Sequence, residues 1–412
     1  MQYTKGSIIY FEGDKDERIF ILQKGILVLT TTDVETHQPN TEQVRNGEFF
    51  GVKSALGHFP REETATALTD CVAIVLNVQE FENIFSSNKQ VIMKMLRVFS
   101  NQLRQIHKKT EAILNNITED RQSGMIAVAK SFYDDEQYLS CSDICVKFLS
   151  LYPDTPRKEE IAKLYADAKM RNEKQQARAK KEEVMDESDD SDNQSLKQFA
   201  LPAFKRFAKQ YSPGNVIIAE FEPGNSFYLI QSGLVQLVKC VNGTNKNIDI
   251  MKSGEFFGEM AILDNSPRSA TCLALSAVEC LEFNKENFEV LMTGNPQIAI
   301  ILLKLFCKRI YDQKRRFRTL TIKDPQARVA DVFLMLDEIY PSPSAINMQR
   351  KFNVTFTDVA HWAGYTPEEA RDEINKLVEK RKIEVYDNYI IVENIADMKR
   401  IVDTRSDTRE RR

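Results

Sequence analysis

Residues 254–271 read Gly-Glu-Phe-Phe-Gly-Glu-Met-Ala-Ile-Leu-Asp-Asn-Ser-Pro-Arg-Ser-Ala-Thr, and three features of this stretch suit the binding of a small phosphodiester against a sheet. Gly258 lets the backbone approach a ligand closely and adopt a positive φ without steric cost. The apolar run 260–263 predicts one helical turn whose first N–H groups point at an anion. Arg268 offers a planar fork of donors to phosphate oxygens, while Glu259 can accept a hydrogen bond from a sugar hydroxyl. The simpler alternative is a β-turn with a surface salt bridge between Glu259 and Arg268.

The pattern F-G-E-x-A-x-L, followed by P-R-S-A-T, resembles the phosphate-binding cassette of cyclic-nucleotide-binding domains. In that family the cassette glutamate binds the ribose 2′-hydroxyl, the arginine binds the cyclic phosphate, and the residues after it line the base. The resemblance implies a ligand site made by Gly258, Glu259, Met260, Ala261, Arg268, Ser269, Ala270 and Thr271. Similarity to bacterial regulators favours cAMP as the allosteric ligand. The alternative of cGMP stays open, because Ser269 suits either the phosphate or the amino group of a syn guanine.

The chain contains an internal repeat. Three pairs of segments match: 7–25 with 215–233, 47–51 with 254–258, and 60–61 with 267–268. Short β-branched and aromatic runs separated by Gly, Asn and Pro predict antiparallel strands with tight turns in both copies. This is the pattern of the eight-stranded jelly roll that the resembled domains share.

The first copy differs from the second at the residues that would hold a ligand. Val52 replaces the sugar-binding glutamate, and Glu62 and Glu63 follow Arg61 where the family keeps small residues. Two carboxylates beside a phosphate would weaken its binding unless a cation offsets them. The first copy is therefore either a structural domain or a domain that binds something other than a standard cyclic nucleotide.

Length and composition limit the class of protein. A chain of 412 residues exceeds what one hydrophobic core supports, so two to four domains are expected. The net charge of −4 gives no global basic character, and any nucleic-acid surface must be local. The N-terminus lacks the apolar region of a signal peptide. No run reaches the roughly 18 apolar residues that a membrane span needs. The cysteines are scattered and odd in number, which argues against a disulfide framework. We expect a cytoplasmic protein without a membrane segment.

The sequence shows no catalytic constellation and no metal site. Its four histidines have no metal-ligand spacing, and the G-x-S-x-G, Walker A and H-E-x-x-H motifs are absent. Cys141 and Cys145 lie at i and i+4 of a predicted helix without two further close ligands, which favours a core-facing pair. We expect that the protein is not an enzyme.

Residues 121–170 alternate aromatic and small side chains over paired predicted helices, and they resemble a single tetratricopeptide repeat. One repeat cannot bury its own apolar face, so this segment must pack on a roll or on a partner. Residues 171–195 are highly charged and predict a frayed helix that continues into a solvated linker.

A long helix is predicted from about residue 297 to 322, directly after the second roll. Its apolar stripe consists of Ile298, Ile301, Leu302, Leu305, Ile310 and Phe317. The position of this helix resembles that of the dimerisation helix in Crp–Fnr-type regulators. The resemblance implies a homodimer formed through this helix and places Gln313 against the purine. The basic end, residues 314–318, suits either contact with a nucleic-acid backbone or a solvated helix terminus that favours cations.

Residues 356–371 read as a helix, a Gly-containing turn and a second helix. Thr366, with Pro367 at the first helical position and Glu369 three residues on, predicts a capping box. Two runs, 383–385 and 390–392, predict a two-stranded wing, and residues 325–402 resemble the winged helix-turn-helix of the Crp–Fnr family. The resemblance implies DNA contacts by four residues of the second helix: Thr366, Glu368, Arg371 and Lys376. The same helix also carries four carboxylates, at 368, 369, 372 and 373, which are unfavourable near phosphates.

The expected fold class is α+β and multidomain, with two antiparallel β-rolls of the jelly-roll type, a helical repeat-like insert and a winged helix. The predicted segments are a degenerate first roll with its helices (1–120), the insert (121–170), the linker (171–195), the second roll with the long helix (196–322), the winged helix (323–402) and a tail (403–412). The leading hypothesis is a cAMP-responsive, DNA-binding transcriptional regulator. The rival hypothesis is an adaptor whose winged helix binds a protein partner instead of DNA.

Overall fold

A computed structural model of the chain describes residues 1–32, 38–113, 120–179, 206–241, 243–264, 266–340 and 348–406. Most of the predicted linker and of the predicted tail, residues 180–195 and 407–412, lies outside the described residues. The chain divides into two compact units, one made of residues 1–110 and 289–412 and the other of residues 111–288. Each unit contains one roll.

The first roll has eight strands: β1 (Gln2–Tyr3), β2 (Ile8–Tyr10), β3 (Ile19–Lys24), β4 (Leu27–Thr32), β5 (Pro39–Val44), β6 (Phe49–Phe50), β7 (Thr64–Ala67) and β8 (Cys71–Leu76). They form two four-stranded antiparallel sheets in the orders β1-β8-β3-β6 and β2-β7-β4-β5. Phe20 and Phe50 stack 4.9 Å apart in the core, next to Tyr10. The helices are α1 (Val52–Gly57), α2 (Val78–Ser87) and α3 (Lys89–Ile113).

Three helices open the second unit: α4 (Arg121–Asp134), α5 (Tyr138–Leu151) and α6 (Lys158–Ala179). Asp120 caps α4 by accepting from the N–H groups of Gln122 and Ser123. Cys141 and Cys145 are both buried in the core of these helices, which is continuous with apolar residues of the second roll. The helices therefore bury their apolar faces on that roll.

The second roll also has eight strands: β9 (Ala208–Tyr211), β10 (Val216–Ile218), β11 (Ser226–Ser232), β12 (Val235–Val241), β13 (Thr244–Met251), β14 (Phe256–Phe257), β15 (Thr271–Ala274) and β16 (Val278–Asn284). Its sheets have the orders β10-β15-β12-β13 and β14-β11-β16-β9. The helices α7 (Glu259–Asp264) and α8 (Lys285–Gly294) match α1 and α2 of the first roll. The prediction of two antiparallel rolls is confirmed.

The long helix α9 (Pro296–Thr321) belongs to the unit of the first roll. It begins at Pro296, whose fixed φ suits the first turn of a helix. Four of the six stripe residues are buried within the chain: Ile298, Leu302, Ile310 and Phe317. The stripe predicted to pair two chains is therefore mostly buried inside one chain.

The C-terminal domain consists of α10 (Pro325–Ile339), β17 (Arg350–Phe352), α11 (Phe356–Ala363), α12 (Pro367–Glu379), β18 (Ile383–Val385), β19 (Ile390–Val392) and α13 (Ile395–Ser406). The strands form one antiparallel sheet in the order β17-β19-β18. The sequence pattern predicts β18 and β19 but not β17, whose short run carries no clear alternation.

Ion pairs join α9 to this domain. Arg315 donates to both carboxylate oxygens of Asp331 at 2.7 and 3.0 Å and to Glu338 at 2.7 Å. Arg316 lies 5.4 Å from the ring of Trp362, and burial lowers the pKa of Arg316 to about 10. Two of the four cations of the predicted basic end, Arg315 and Arg316, are thus engaged with neighbours inside the unit, while Arg318 is exposed.

In the part of the chain that the structure describes, no single helix is both long and apolar enough to cross a membrane. Taken together, α8 and α9 are long and apolar enough, but a bend of 106° separates them.

Candidate ligand site in the second roll

A strand, a glycine and a short helix build the cassette of the second roll. β14 ends at Phe257, Gly258 follows with a φ of 80°, and α7 begins at Glu259. A Cβ atom on Gly258 would lie 2.8 Å from Nη1 of Arg268 and 2.9 Å from Cδ1 of Ile218. Only glycine combines this backbone conformation with such close neighbours.

Arg268 is buried, with 6% of its surface exposed, and it faces the cassette. Nη1 donates to the carbonyl oxygen of Gly258 at 2.6 Å, and Nη2 donates to that of Ser226 at 2.6 Å. Its Nε is buried and has no hydrogen-bond partner among the described residues. The guanidinium is therefore held in one orientation by backbone oxygens, with donor capacity left for an acceptor.

Glu259 is 1% exposed, so it is not a surface residue. The described residues contain no ion pair between Glu259 and Arg268. The alternative of a β-turn with a surface salt bridge between these two side chains is excluded, because both are buried and they do not pair.

A second glycine, Gly224, makes room for the arginine. A Cβ atom there would lie 2.1 Å from Cβ of Ala261 and 3.3 Å from Cζ of Arg268. In the first roll the matching residue is Asp16, which pairs with Arg61 at 3.3 Å. The glycine therefore keeps a carboxylate away from Arg268. Gly224 was not among the predicted site residues, although the Pro-Gly pair before β11 signals a turn.

A buried ion pair lies beneath the residues that follow Arg268. Nζ of Lys239 is 3.2 Å from Glu220, and it donates to the carbonyl oxygen of Ser269 at 2.8 Å. The N–H of Glu220 donates to Oγ1 of Thr271 at 3.1 Å. Lys239 thus holds the Ser269 carbonyl group in place. The Thr271 hydroxyl already accepts one hydrogen bond from the backbone of the chain itself. No local pattern in the sequence could have revealed this pair, because its members are far apart along the chain.

The helices α4 and α5 dock next to the backbone of Arg268. The N–H of Phe221 donates to the carbonyl oxygen of Arg268 at 3.0 Å, and Phe221 itself has a φ of 71°. A Cβ atom on Gly124 of α4 would lie 2.6 Å from the Phe221 ring. On α5, Nζ of Lys147 lies 3.1 Å from Glu222, whose carbonyl oxygen accepts from the N–H of Arg268.

The corresponding site in the first roll is filled by the chain's own charges. Arg61 makes the same two backbone hydrogen bonds, to Gly51 and Arg18, but also pairs with Asp16. Lys53 lies 3.5 Å from both Glu62 and Glu63. Burial by itself lowers the pKa of Lys53, yet these two carboxylates raise it above its ordinary value.

The other predicted ligand residues are placed as follows. Met260, Ala261 and Ala270 are buried beside the cassette. Gln313 lies half-buried on α9, in the unit of the first roll. Among the described residues, no group of three or more His, Cys, Asp and Glu side chains could hold a metal ion.

The predicted DNA-contacting residues lie at or on α12. Thr366 caps this helix in a capping box with Glu369. Glu368 is exposed at its first turn. Arg371 lies 4.5 Å from the ring of Phe356, and Nζ of Lys376 lies 2.6 Å from Glu373. Both cations of the exposed face are therefore engaged with neighbours.

The match of a family model agrees with the geometry of the rolls. Two segments, residues 1–88 and 208–295, match the family described as Cyclic nucleotide-binding domain. The CRP-like cAMP-activated global transcriptional regulator of Mycobacterium tuberculosis is 24% identical over 182 residues, which are 43% of this chain and 80% of that protein. The Cyclic AMP receptor protein of Thermus thermophilus is 30% identical over 138 residues, which are 33% of this chain and 63% of that protein. The solved structure of a CooA mutant from Carboxydothermus hydrogenoformans has 16% identity and a TM-score of 0.42, and the match covers 52% of this chain and 97% of that chain. The same family model thus matches this chain twice, once in each roll.

Proposed function

We propose that the protein is a cytoplasmic, cAMP-responsive transcriptional regulator that binds its ligand in the second roll and DNA through its C-terminal domain. The main support for this ligand site is a difference in charge between matching positions of the two rolls. Where the first roll has Glu62 and Glu63, the second has Ser269 and Ala270. An anionic ligand beside Arg268 therefore meets no repelling carboxylate at these positions.

Arg268 has the role of binding the cyclic phosphate, because charge-assisted hydrogen bonds from a guanidinium to phosphate are strong and directional. Glu259 accepts from the ribose 2′-hydroxyl, and the run 269–271 lines the base. The names of the Mycobacterium tuberculosis and Thermus thermophilus relatives support cAMP rather than cGMP. The contact of Gln313 with the purine stays a prediction.

The C-terminal domain is proposed to be a winged helix-turn-helix, with α12 as the recognition helix and β18 and β19 as the wing. Thr366, Glu368, Arg371 and Lys376 are the proposed contacts with DNA. Ligand binding shifts an equilibrium between two states of the protein, and a coupling of about 1–3 kcal/mol between the two sites is sufficient.

Calorimetric titration with cAMP tests the ligand site. The double variant Glu259→Ala/Arg268→Ala should lose binding while its circular dichroism stays that of a folded protein. Val52→Ala is the matched control, since Val52 occupies in the first roll the position of Glu259, and it should bind cAMP like the parent protein. Undiminished affinity in the double variant would overturn the site.

Selection from a random double-stranded DNA library tests the regulator function. The experiment is run with and without saturating cAMP at near-physiological salt, because phosphate contacts depend strongly on salt. Enrichment of one sequence in the presence of cAMP alone is expected. Lack of enrichment from protein that binds cAMP would contradict DNA recognition.

One observation favours a second candidate, a cAMP-controlled adaptor for a protein partner, in which the proposed repeat-like helices α4–α6 also serve binding. Glu368, Glu369 and Asp372 are exposed on α12 beside two exposed cations, Arg371 and Lys376, each of which is engaged with a neighbour. Such a surface is unfavourable beside DNA phosphates. Capture of one protein partner from nuclease-treated lysate, only with cAMP present, would support this candidate.

A further inference from the structure

A cluster of four charges lies where the cassette of the first roll meets the long helix α9. Nζ of Lys53, in α1, lies 3.5 Å from both Glu62 and Glu63. Nζ of Lys314, in α9, lies 3.1 Å from Glu62. The side chains of the two glutamates are 10% and 6% exposed, so water screens their charges only in part. Two carboxylates and two ammonium groups are therefore held together largely out of bulk water.

The first roll supplies more negative than positive charge to this cluster. Within the roll, the carboxylates of Glu62 and Glu63 pair with the same ammonium group, that of Lys53. Glu42 of β5 adds to the negative field around Lys53. An uncompensated carboxylate away from bulk water is costly, so the roll is stabilised by one further cation at this place. Lys314 of α9 supplies that cation.

The charged forms of Glu62 and Lys314 support each other. Burial raises the pKa of Glu62, but Lys53 and Lys314 outweigh burial and hold it below its ordinary value. Burial, together with Lys53, lowers the pKa of Lys314, and Glu62 opposes this change. The Glu62 carboxylate is therefore charged at neutral pH, and it favours the charged form of the ammonium group that faces it.

The second roll lacks these charges at the matching positions. Ser269 and Ala270 take the place of the two glutamates, and Met260 takes the place of the lysine of α1. An anion beside Arg268 is therefore not repelled by carboxylates at these positions. In the first roll the two glutamates repel an anion and attract a cation instead.

Two further contacts hold α9 on the first roll, where it packs on α1 and α2. The rings of Phe59 and Tyr311 stack with centroids 4.2 Å apart. Nζ of Lys304 lies 2.7 Å from Glu82 of α2. Positions 304, 311 and 314 are spaced by seven and three residues, which places them on one side of the helix. The side of α9 that packs on the roll is thus the side that carries Lys314.

The next residue of α9 connects this contact to the C-terminal domain. Arg315 donates to Asp331 at 2.7 and 3.0 Å and to Glu338 at 2.7 Å, and both carboxylates belong to α10. Lys314 and Arg315 are neighbours in the chain. The same turn of α9 therefore binds the first roll on one side and the C-terminal domain on the other.

We infer that the cassette of the first roll is an ammonium-binding site whose ligand is Lys314 of α9. The site proposed for an anionic ligand in the second roll is thus reversed in charge in the first roll, where it anchors the helix that leads to the C-terminal domain. A cyclic nucleotide entering the first roll would meet the carboxylates of Glu62 and Glu63. This inference concerns the first roll alone, and it holds whether or not the second roll binds cAMP.

Hydrogen exchange of the α9 amides, followed by mass spectrometry in the full-length protein without nucleotide, tests this inference. Exchange reports how often a helix opens locally. Glu62→Gln and Lys314→Gln should each speed the exchange of α9 about tenfold, the factor that corresponds to one hydrogen bond between charged groups. The double variant should exchange no faster than either single variant, because both changes remove the same contact.

Two variants are the matched controls. Glu12→Gln removes an exposed carboxylate of the first roll, and Lys308→Gln removes an exposed ammonium group of α9. Neither should change the exchange of α9. If Glu62→Gln does not fold, the comparison of Lys314→Gln with Lys308→Gln decides. Unchanged exchange in Lys314→Gln, or additive effects in the double variant, would overturn the inference.

Exchange of α1 and its flanking residues tests whether a nucleotide enters the first roll. The variant Arg268→Ala, which removes the proposed phosphate contact of the second roll, is measured with and without excess cAMP. Exchange of α1 should be the same in both conditions. Protection of α1 by cAMP would overturn the inference, because the nucleotide would then occupy the first roll. Failure of the parent protein to bind cAMP would contradict the proposed function alone, since the exchange of α9 is measured without nucleotide.

Discussion

Position 62 of the first roll and position 269 of the second are matched in the repeat but differ in charge. Ser269→Glu would place in the second roll the carboxylate that the first roll carries. Two unit charges about 4 Å apart near a protein surface interact by about 4 kcal/mol, so we expect a loss of cAMP affinity of roughly 100-fold or more. Ser269→Gln has a similar size without the charge and should lose less than about tenfold. Equal losses in the two titrations would show that size, not charge, limits binding.

Asp331 is the residue on which the junction between α9 and the C-terminal domain depends. It accepts from Arg315 through both carboxylate oxygens and from Thr319 at 2.7 Å. Asp331→Asn leaves the buried Arg315 without its bidentate partner, and we expect a loss of about 3–5 kcal/mol in the free energy of unfolding. Urea unfolding followed by fluorescence of the single tryptophan, Trp362, measures it. Asp372→Asn on the exposed face of α12 is the control and should change stability by less than about 0.5 kcal/mol.

The cassette residues could be found from the sequence because they are contiguous and each has a distinctive chemical type. Gly258, Glu259 and Arg268 fall within a single short stretch. The residues that prepare the site could not be found in this way. Gly224 and Lys239 act on Arg268 and Ser269 through contacts between distant segments, and periodicity carries no information on such contacts. Phe221 was hidden for another reason, since its positive φ is a conformation that sequence patterns assign to glycine.

At the scale of elements, the contact between α4 and the second roll depends on Phe221 and Gly124. Gly124→Ala would place a methyl group against the Phe221 ring, and overpacking of this kind costs about 1–3 kcal/mol. Phe221→Gly removes the ring and also relieves a left-handed conformation. In the double variant, Gly124→Ala should therefore cost much less than in the parent protein. Urea unfolding of all four proteins gives the interaction energy, and additive effects would contradict direct contact.

The contact between α9 and the first roll should weaken in acid. The pKa of Glu62 in the folded protein lies below its ordinary value of 4.5. A depressed pKa contributes stability above the unfolded-state value, and this contribution is lost as the pH falls through the folded-state value. The stability difference between the parent protein and Glu62→Gln should be largest near neutral pH and should shrink in acid. Glu368→Gln, at an exposed position, should show no such trend in the same unfolding series.

The long helix shows why elements are easier to predict than their partners. Its start at Pro296 and its apolar stripe are visible in the sequence, and the structure places the helix there. An apolar stripe predicts that one face of a helix is buried, but it does not predict what covers that face. The partner became clear only from Phe59, Glu62 and Glu82, which lie more than two hundred residues earlier.

At the scale of the whole molecule, one unit combines the first roll, α9 and the C-terminal domain, and the other combines α4–α6 with the second roll. The two rolls thus differ in the surroundings of their matching arginines, Arg61 and Arg268. One roll keeps an arginine that no carboxylate neutralises among the described residues, and the other uses its own carboxylates to hold a helix.

The last prediction concerns DNA and rests on the proposed function together with the homodimer expected from the sequence. A symmetric dimer presents two C-terminal domains and reads half-sites about one helical turn apart. Selection from random DNA with cAMP should therefore enrich a palindrome, bound by two chains in a native mass measurement of the complex. Enrichment of one short asymmetric site bound by a single chain would contradict the homodimer but keep the regulator. Absence of any enriched sequence would contradict the regulator.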